Sequence, residues 1–216
     1  CRYLIAPKTI TLSNAADGVT VKWSAVEGAA YYNVYRRTVN ADGSVSSWVS
    51  VAKNVTGKSY TDKSGLKNGT KYEYTVRTFS KDGSSAHYLY ERILYVGAPS
   101  ITVKSTSSGV KISWSKVSGA TKYKVYRKVS GGSYVGVKSL SASATSFTDT
   151  SAPNNKKLYY KVRVYNGNAY NTSSSKAVNY LKAPNASVKN FASGVKISWS
   201  KISGATKYYV YRKAGS

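Results

Sequence analysis

The sequence is poor in the groups that carry out covalent chemistry. Its 216 residues include one cysteine, one histidine and no methionine. With Cys1 alone, no disulfide can form within the chain. A fold outside the cell would then rest on its apolar core. Any Ser-His-acid or Cys-His arrangement would have to recruit His87. That histidine lies in SSAHYLY, reads as a surface strand residue just after a turn, and has no counterpart later in the chain. Acids are scarce: eight Asp and Glu stand against 33 Lys and Arg, a formal charge of +25. Glu27, Glu73, Glu91 and the five aspartates are scattered, so neither a glycosidase carboxylate pair nor a calcium loop is indicated. Zinc-ligand spacing is missing. Gly131 and Gly132 lie between strands, not before a helix, which excludes a phosphate-cradling loop there. No apolar run approaches the roughly 18 residues of a membrane span, and no signal peptide is present. The sequence thus nominates no catalytic, metal or cofactor-binding residue and requires no cofactor. The lack of Met reads as the mark of processing or of an excerpt from a longer chain.

What is abundant is tyrosine, 21 residues, together with valine, both strand formers. The chain also repeats itself. SGVKISWSKVSGATKYKVYRK at 108–128 returns at 193–213 with changes only at Val117/Ile202 and Lys124/Tyr209. Pro7, Pro99 and Pro184 each follow Ala and open a unit. Trp23, Trp114 and Trp199 follow at matching offsets, as do Tyr35, Tyr126 and Tyr211. SYTD at 59–62 matches SFTD at 146–149, and KYEYTVR at 71–77 matches KLYYKVR at 157–163. The expected organisation is the last strand of a preceding unit (1–5), two whole units (6–97 and 98–182) and part of another (183–216, its first three strands). CRYLIAP aligns with ILYVGAP and VNYLKAP, which reads Cys1 as a small hydrophobe within a strand rather than a lipid anchor.

Each unit alternates with a period of two. Val110, Ile112 and Trp114 face in, as do Tyr123 and Val125, and Leu158, Tyr160, Val162 and Val164. Turn dipeptides such as Asn68-Gly69 and Asn166-Gly167 separate the strands. About seven short strands per unit around one inward Trp predict a two-sheet sandwich. An Ala-Pro opening, G-V-x-I/V-x-W-S, G-A-x-x-Y-x-V-Y-R, S-Y/F-T-D and a Tyr-rich V-R strand together resemble fibronectin type III domains, most closely those strung along secreted and surface proteins of Gram-positive bacteria. The resemblance implies an all-β fold of tandem immunoglobulin-like sandwiches, two complete and a third partial, with three strands on one sheet and four on the other. It also implies a Tyr anchoring a corner near the start of the sixth strand. Tyr72 fits that place, whereas Leu158 occupies it in the second unit.

One feature points to binding. The outward residues of strands three and six in the second unit, Lys122, Lys124, Tyr126, Lys128, Tyr159, Lys161, Arg163 and Tyr165, share one sheet face. Cations interleaved with rings suit an anionic polymer; the same pairs also stabilise a sheet on their own account. Tyr31, Asn33, Tyr35 and Arg37 with Glu73, Thr75 and Arg77 form a weaker version in the first unit, and Lys207, Tyr209, Tyr211 and Lys213 begin it again in the third. Trp48 and Tyr134 are candidate aromatic platforms or half-buried edge residues. Two function classes remain open. The first is a non-catalytic, extracellular spacer array that displays other domains on a bacterial surface. The second is a basic adhesive module for anionic polysaccharide, wall polymer or nucleic acid. An accessory region of a larger secreted enzyme and a phage or surface-fibre subunit are further alternatives. In the last case a neighbouring chain would donate a strand to the incomplete third unit.

Overall fold

The computed structural model describes residues 4–83 and 89–213. Cys1 and His87 lie outside the described residues, as does most of the expected leading strand; Leu4 and Ile5 are not in a strand. Unit 1 comprises β1 (Ile10–Ala15), β2 (Gly18–Trp23), β3 (Tyr31–Val39), β4 (Val49–Val55), β5 (Ser59–Asp62), β6 (Lys71–Phe79) and β7 (Tyr90–Leu94). They form a three-stranded sheet, β1-β2-β5, and a four-stranded sheet, β4-β3-β6-β7, with every pair antiparallel. Unit 2 repeats the plan with β8 (Ile101–Thr106), β9 (Gly109–Trp114), β10 (Lys122–Val129), β11 (Val135–Ser141), β12 (Ser146–Asp149), β13 (Lys156–Asn166), β14 (Ala169–Thr172) and β15 (Lys176–Tyr180). Here the last strand is split in two, and both halves pair with β13. Three strands facing four is the fibronectin type III-like arrangement; unit 1 has it, and unit 2 has it with the fourth strand broken into β14 and β15.

Alternation explains the core. Val110, Ile112, Tyr123, Val125, Leu158, Tyr160, Val162 and Val164 are fully buried, with Trp114 among them. Unit 1 buries Val19, Val21, Trp23, Tyr32, Val34, Tyr72, Tyr74 and Val76 in the same way. Each Trp meets the ring of the inward Tyr on the next strand: Trp23–Tyr32 and Trp114–Tyr123 both lie 5.5 Å apart. That Tyr then closes the intervening turn, its hydroxyl accepting from the Val26, Val117 or Ile202 amide in the three copies. The glycine opening β2 and β9 is required sterically. A Cβ on Gly109, at φ +148°, would lie 2.4 Å from the Asp149 carbonyl oxygen. The corner tyrosine behaves as the sequence suggested. The Tyr72 hydroxyl accepts from the Lys67 amide at 3.0 Å, and Leu158 fills the same place without that bond.

The third copy departs from expectation. It has β16 (Ala186–Phe191) and β17 (Gly194–Trp199), but its anticipated third strand forms no ladder. The physical reason is pairing. In unit 2 the equivalent β10 is held by β11 and β13, and no described residue plays those parts for 207–213. Trp199 is accordingly half-buried, and Val188, Val195 and Tyr211 are exposed.

Candidate functional site: the outer sheet face and the joints

A buried ionic knot ties the two sheets together in both units. In unit 2 the Asp149 carboxylate, at the end of β12, accepts from the Arg127 guanidinium at 2.7 Å, the Tyr160 hydroxyl at 2.8 Å and the Ser151 amide at 3.1 Å. Unit 1 repeats it: Asp62 accepts from Arg36, from Tyr74 at 2.9 Å and from Ser64. In the sequence these acids show only as the recurring last residue of SYTD and SFTD. The missed signal was parity: Arg127 falls in register with inward Tyr123 and Val125, and an inward arginine needs an acid. Burial pushes the Asp149 carboxyl up, but hydrogen bonds from Ser151, Tyr160 and Arg127, with the Arg127 charge, outweigh it and hold the group below its ordinary value. Burial beside Asp149 pushes the Tyr160 phenol far up. Asp149 and Tyr160 are buried in the core and Arg127 lies at its edge, so the role of the knot is structural.

The predicted face on unit 2 is assembled as read. In the β10–β13 register Lys122 stands opposite Tyr165, Lys124 opposite Arg163, Tyr126 opposite Lys161 and Lys128 opposite Tyr159. The cations lie over the rings. Lys124 and Arg163 both approach Tyr126, at 5.4 and 5.2 Å from its centroid. Lys128 and Lys161 both approach Tyr134, at 5.3 and 4.7 Å. Lys128 and Lys157 both approach Tyr159, at 4.9 and 5.8 Å. Lys122 lies 4.6 Å from Tyr165. Arg163 also reaches Tyr170 at 4.4 Å and donates from Nε to the Thr172 hydroxyl at 3.0 Å. Trp48 and Tyr134 are half-buried, not open platforms, and the Tyr134 hydroxyl lies 2.6 Å from that of Ser175. Burial raises the Tyr165 phenol, but a hydrogen bond with Tyr126 and the charges of Arg163 and Lys124 outweigh it and hold it below its ordinary value.

The corresponding face of unit 1 is partly charge-paired and covered. Glu73, in the register position of Tyr159, is fully buried between Arg37 (2.6 Å) and Arg92. Arg37 is capped by Trp48, 4.4 Å from its centroid. Thr75 is buried and donates to the Leu89 carbonyl at 2.6 Å. Asn33 is also buried, its side-chain oxygen accepting from the Asn54 amide at 2.9 Å. The seven acids between residues 10 and 94 face eleven Lys and Arg; between 101 and 180 one acid, Asp149, faces thirteen. The cations are spread evenly along the chain, so the asymmetry comes from the acids.

The joints between units recur as closely as the cores. At the first joint the Asn68 side-chain oxygen accepts from the Gly97 amide. At the second, Asn154, its register equivalent, accepts from the Lys182 amide at 2.8 Å. The next residue, Gly69 or Asn155, has positive φ in each case, 79° and 54°. The following unit's turn glycine packs there. A Cβ on Gly119 would come 3.7 Å from the Gly69 Cα, and one on Gly204 would overlap the Asn155 side chain. Three further bonds fasten the joints: Asn171 donates to the Val96 carbonyl at 2.8 Å and to that of Ala15, and Asn154 donates to the Ser203 carbonyl at 3.1 Å.

No family model matches the chain. It is 36% identical over 99 residues to an amylopullulanase of Thermoanaerobacter thermohydrosulfuricus, covering 44% of this chain and 6% of that protein. It is 39% identical over 82 residues to a poly(3-hydroxybutyrate) depolymerase of Delftia acidovorans, covering 38% and 15%. Over 31 residues it is 61% identical to the tail tube protein gp17.1* of Bacillus phage SPP1, covering 14% and 12%. The chain therefore spans only a small part of the length of each of these relatives. Among solved structures, a two-domain fibronectin type III segment from chicken tenascin matches at TM-score 0.40 and 16% identity, over 81% of this chain and 99% of that one. A Fn3-like protein from Clostridium thermocellum matches at 0.38 and 25%, over 44% and 95%.

Proposed function

We propose that the chain is a non-catalytic segment of an extracellular array whose sandwich units space or display other domains on a bacterial surface. The observation that carries this reading is the repeated joint. Asn68 and Asn154 bridge the incoming linker by the same bond, with a turn of the next unit packed alongside. A flexible tether has no use for a conserved register of side-chain bonds between units; a spacer of fixed geometry does. Short Ala-Pro junctions support it too, since proline fixes its own φ and biases its neighbour towards extended backbone. The test is residual dipolar coupling on the whole chain. Units 1 and 2 should fit one alignment tensor, and Asn68→Ala with Asn171→Ala should separate them into two without changing either unit's internal couplings. Two independent tensors in the unaltered chain would overturn the reading. A second reading, a spacer inside a larger polymer-degrading enzyme, draws support from the matches to the amylopullulanase and the depolymerase. The flanking sequence of the parent chain separates the two, because a catalytic domain beside the array would favour the second.

A further inference from the structure

Two pairs of like charges stand directly opposed in unit 2, Lys104–Lys111 and Lys124–Arg163, and only the second is gathered over a tyrosine ring. Lys124 and Arg163 stand directly opposite each other across the β10–β13 ladder, and like charges so placed are destabilising. Unit 1 has the same backbone but answers its cations with Glu73. The single acid of unit 2 is already taken by Arg127. The face is also prepared sterically: opposite Tyr126 in β11 stands Gly136, where a Cβ would lie 2.6 Å from the Lys124 Cε. Any larger residue there would push the lysine off its ring.

We propose that the outer face of β10 and β13 binds a flexible, base-free polyphosphodiester of the poly(glycerol phosphate) kind, laid across the Lys124–Arg163 pair and its lysine neighbours. Charge complementarity requires a polyanion. The rings decide which kind. Single-stranded nucleic acid is gripped by bases stacking on open aromatic faces, but Tyr126, Tyr134 and Tyr159 each carry two cations. Those rings serve as seats that hold ammonium groups in place and lower the entropy lost on binding. Arg163 has its Nε engaged by Thr172 and lies against Tyr126 and Tyr170, so its Nε edge is closed and only its terminal nitrogens can reach an anion. The lysine ammonium groups around it are point charges suited to phosphate. Along β10, Lys122 and Lys124 recur every second residue, roughly 6.6 Å apart, a row that an open-chain polymer can follow. This binding role is independent of the spacing role.

The test uses the whole chain and fluorescently labelled poly(glycerol phosphate), titrated by anisotropy at several salt concentrations. Lys124→Gln with Arg163→Gln should weaken binding about tenfold and flatten the log K against log salt slope by roughly 1.4. A matched control is available on the other sheet. Lys104 and Lys111 are also directly opposed, and neither lies over a ring among the described residues. Lys104→Gln with Lys111→Gln removes the same charge and should change affinity by less than about twofold. Far-ultraviolet dichroism checks that both variants fold. The proposal is overturned by equal losses in the two variants, which means diffuse attraction only. It is overturned equally by no saturable binding, or by single-stranded DNA of equal charge binding as tightly with the same sensitivity to the Lys124/Arg163 change, which makes the face a nucleic-acid site.

Discussion

Removing the carboxylate of Asp149 tests whether the ionic knot holds the second sandwich together. In Asp149→Ala the Tyr160 hydroxyl loses its acceptor inside the core, and the Arg127 guanidinium loses its counter-charge. Stranding one partner of a buried pair costs about 3–5 kcal/mol. Arg127 keeps 17% side-chain exposure and its bonds to Ser151 at 3.1 and 3.2 Å, so water and Ser151 soften the loss and the expected cost lies near 3 kcal/mol. Tyr160→Phe removes one hydrogen bond to a charged acceptor while leaving the ion pair intact, and should cost about 1.5–3 kcal/mol. The assay is urea unfolding of the whole chain, with hydrogen exchange resolving β9, β10 and β13 from unit 1, because the units need not melt together. For a unit of this size each kcal/mol shifts the midpoint temperature by about 4–8 °C. The reasoning fails if Asp149→Ala costs less than Tyr160→Phe, or less than about 1 kcal/mol.

Two further outcomes follow from the same packing. Asp149 has a folded-state value below its unfolded one, so between those two values the unfolded chain binds the extra proton; stability is present above the unfolded value, near pH 3.9, and drains away as pH falls through the lower folded value. Glu73, held down by Arg92 and Arg37 against the upward push of burial, adds the same sign in unit 1; thermal melts from pH 5 to pH 2 should show both units weakening, and an acid-stable plateau would contradict this. Trp114→Ala should cost unit 2 about 3–5 kcal/mol from lost burial and the cavity left behind, read from the same urea curves, and a cost below about 1 kcal/mol would show that the indole is not the hub of that core.

The strands and their inward faces were legible because period-two alternation is local and the repeats present it several times over. The β10–β13 face was legible for the same reason: once Tyr123 and Val125 point in, Lys124 and Tyr126 must point out. Other features needed three dimensions. Glu73, Thr75 and Asn33 have outward parity yet are buried, Glu73 between Arg37 and Arg92, Thr75 against the Leu89 carbonyl and Asn33 against the Asn54 amide, and parity gives direction, not depth. In the sequence Asn68 stands out only as part of a turn dipeptide, and Asn171 not at all. Their bonds to Gly97, Val96 and Ala15 join residues as many as 156 apart. The Asp149–Arg127–Tyr160 knot could have been found, since all three recur in unit 1 as Asp62, Arg36 and Tyr74.

A duplicated scaffold separates what the fold must keep from what each copy is free to change. Both units keep the Trp–Tyr hub, the Asp–Arg–Tyr knot and the asparagine that meets the linker, and these lie in the core or at the joints. They differ most on the outer sheet face. Where unit 1 has Arg37, Glu73 and Arg92, unit 2 has Lys128, Tyr159 and Ala177 in the same register. Exchanging Glu73 for a tyrosine removes the one anion that could neutralise the face and supplies a ring that seats its lysines instead. That exchange does nothing for the core, which neither side chain enters. It turns a sealed, charge-paired surface into a half-buried cationic one while leaving the joints untouched. Spacing and binding are therefore separable by mutation: changes at Asn68 and Asn171 should act on geometry, and changes at Lys124 and Arg163 on charge.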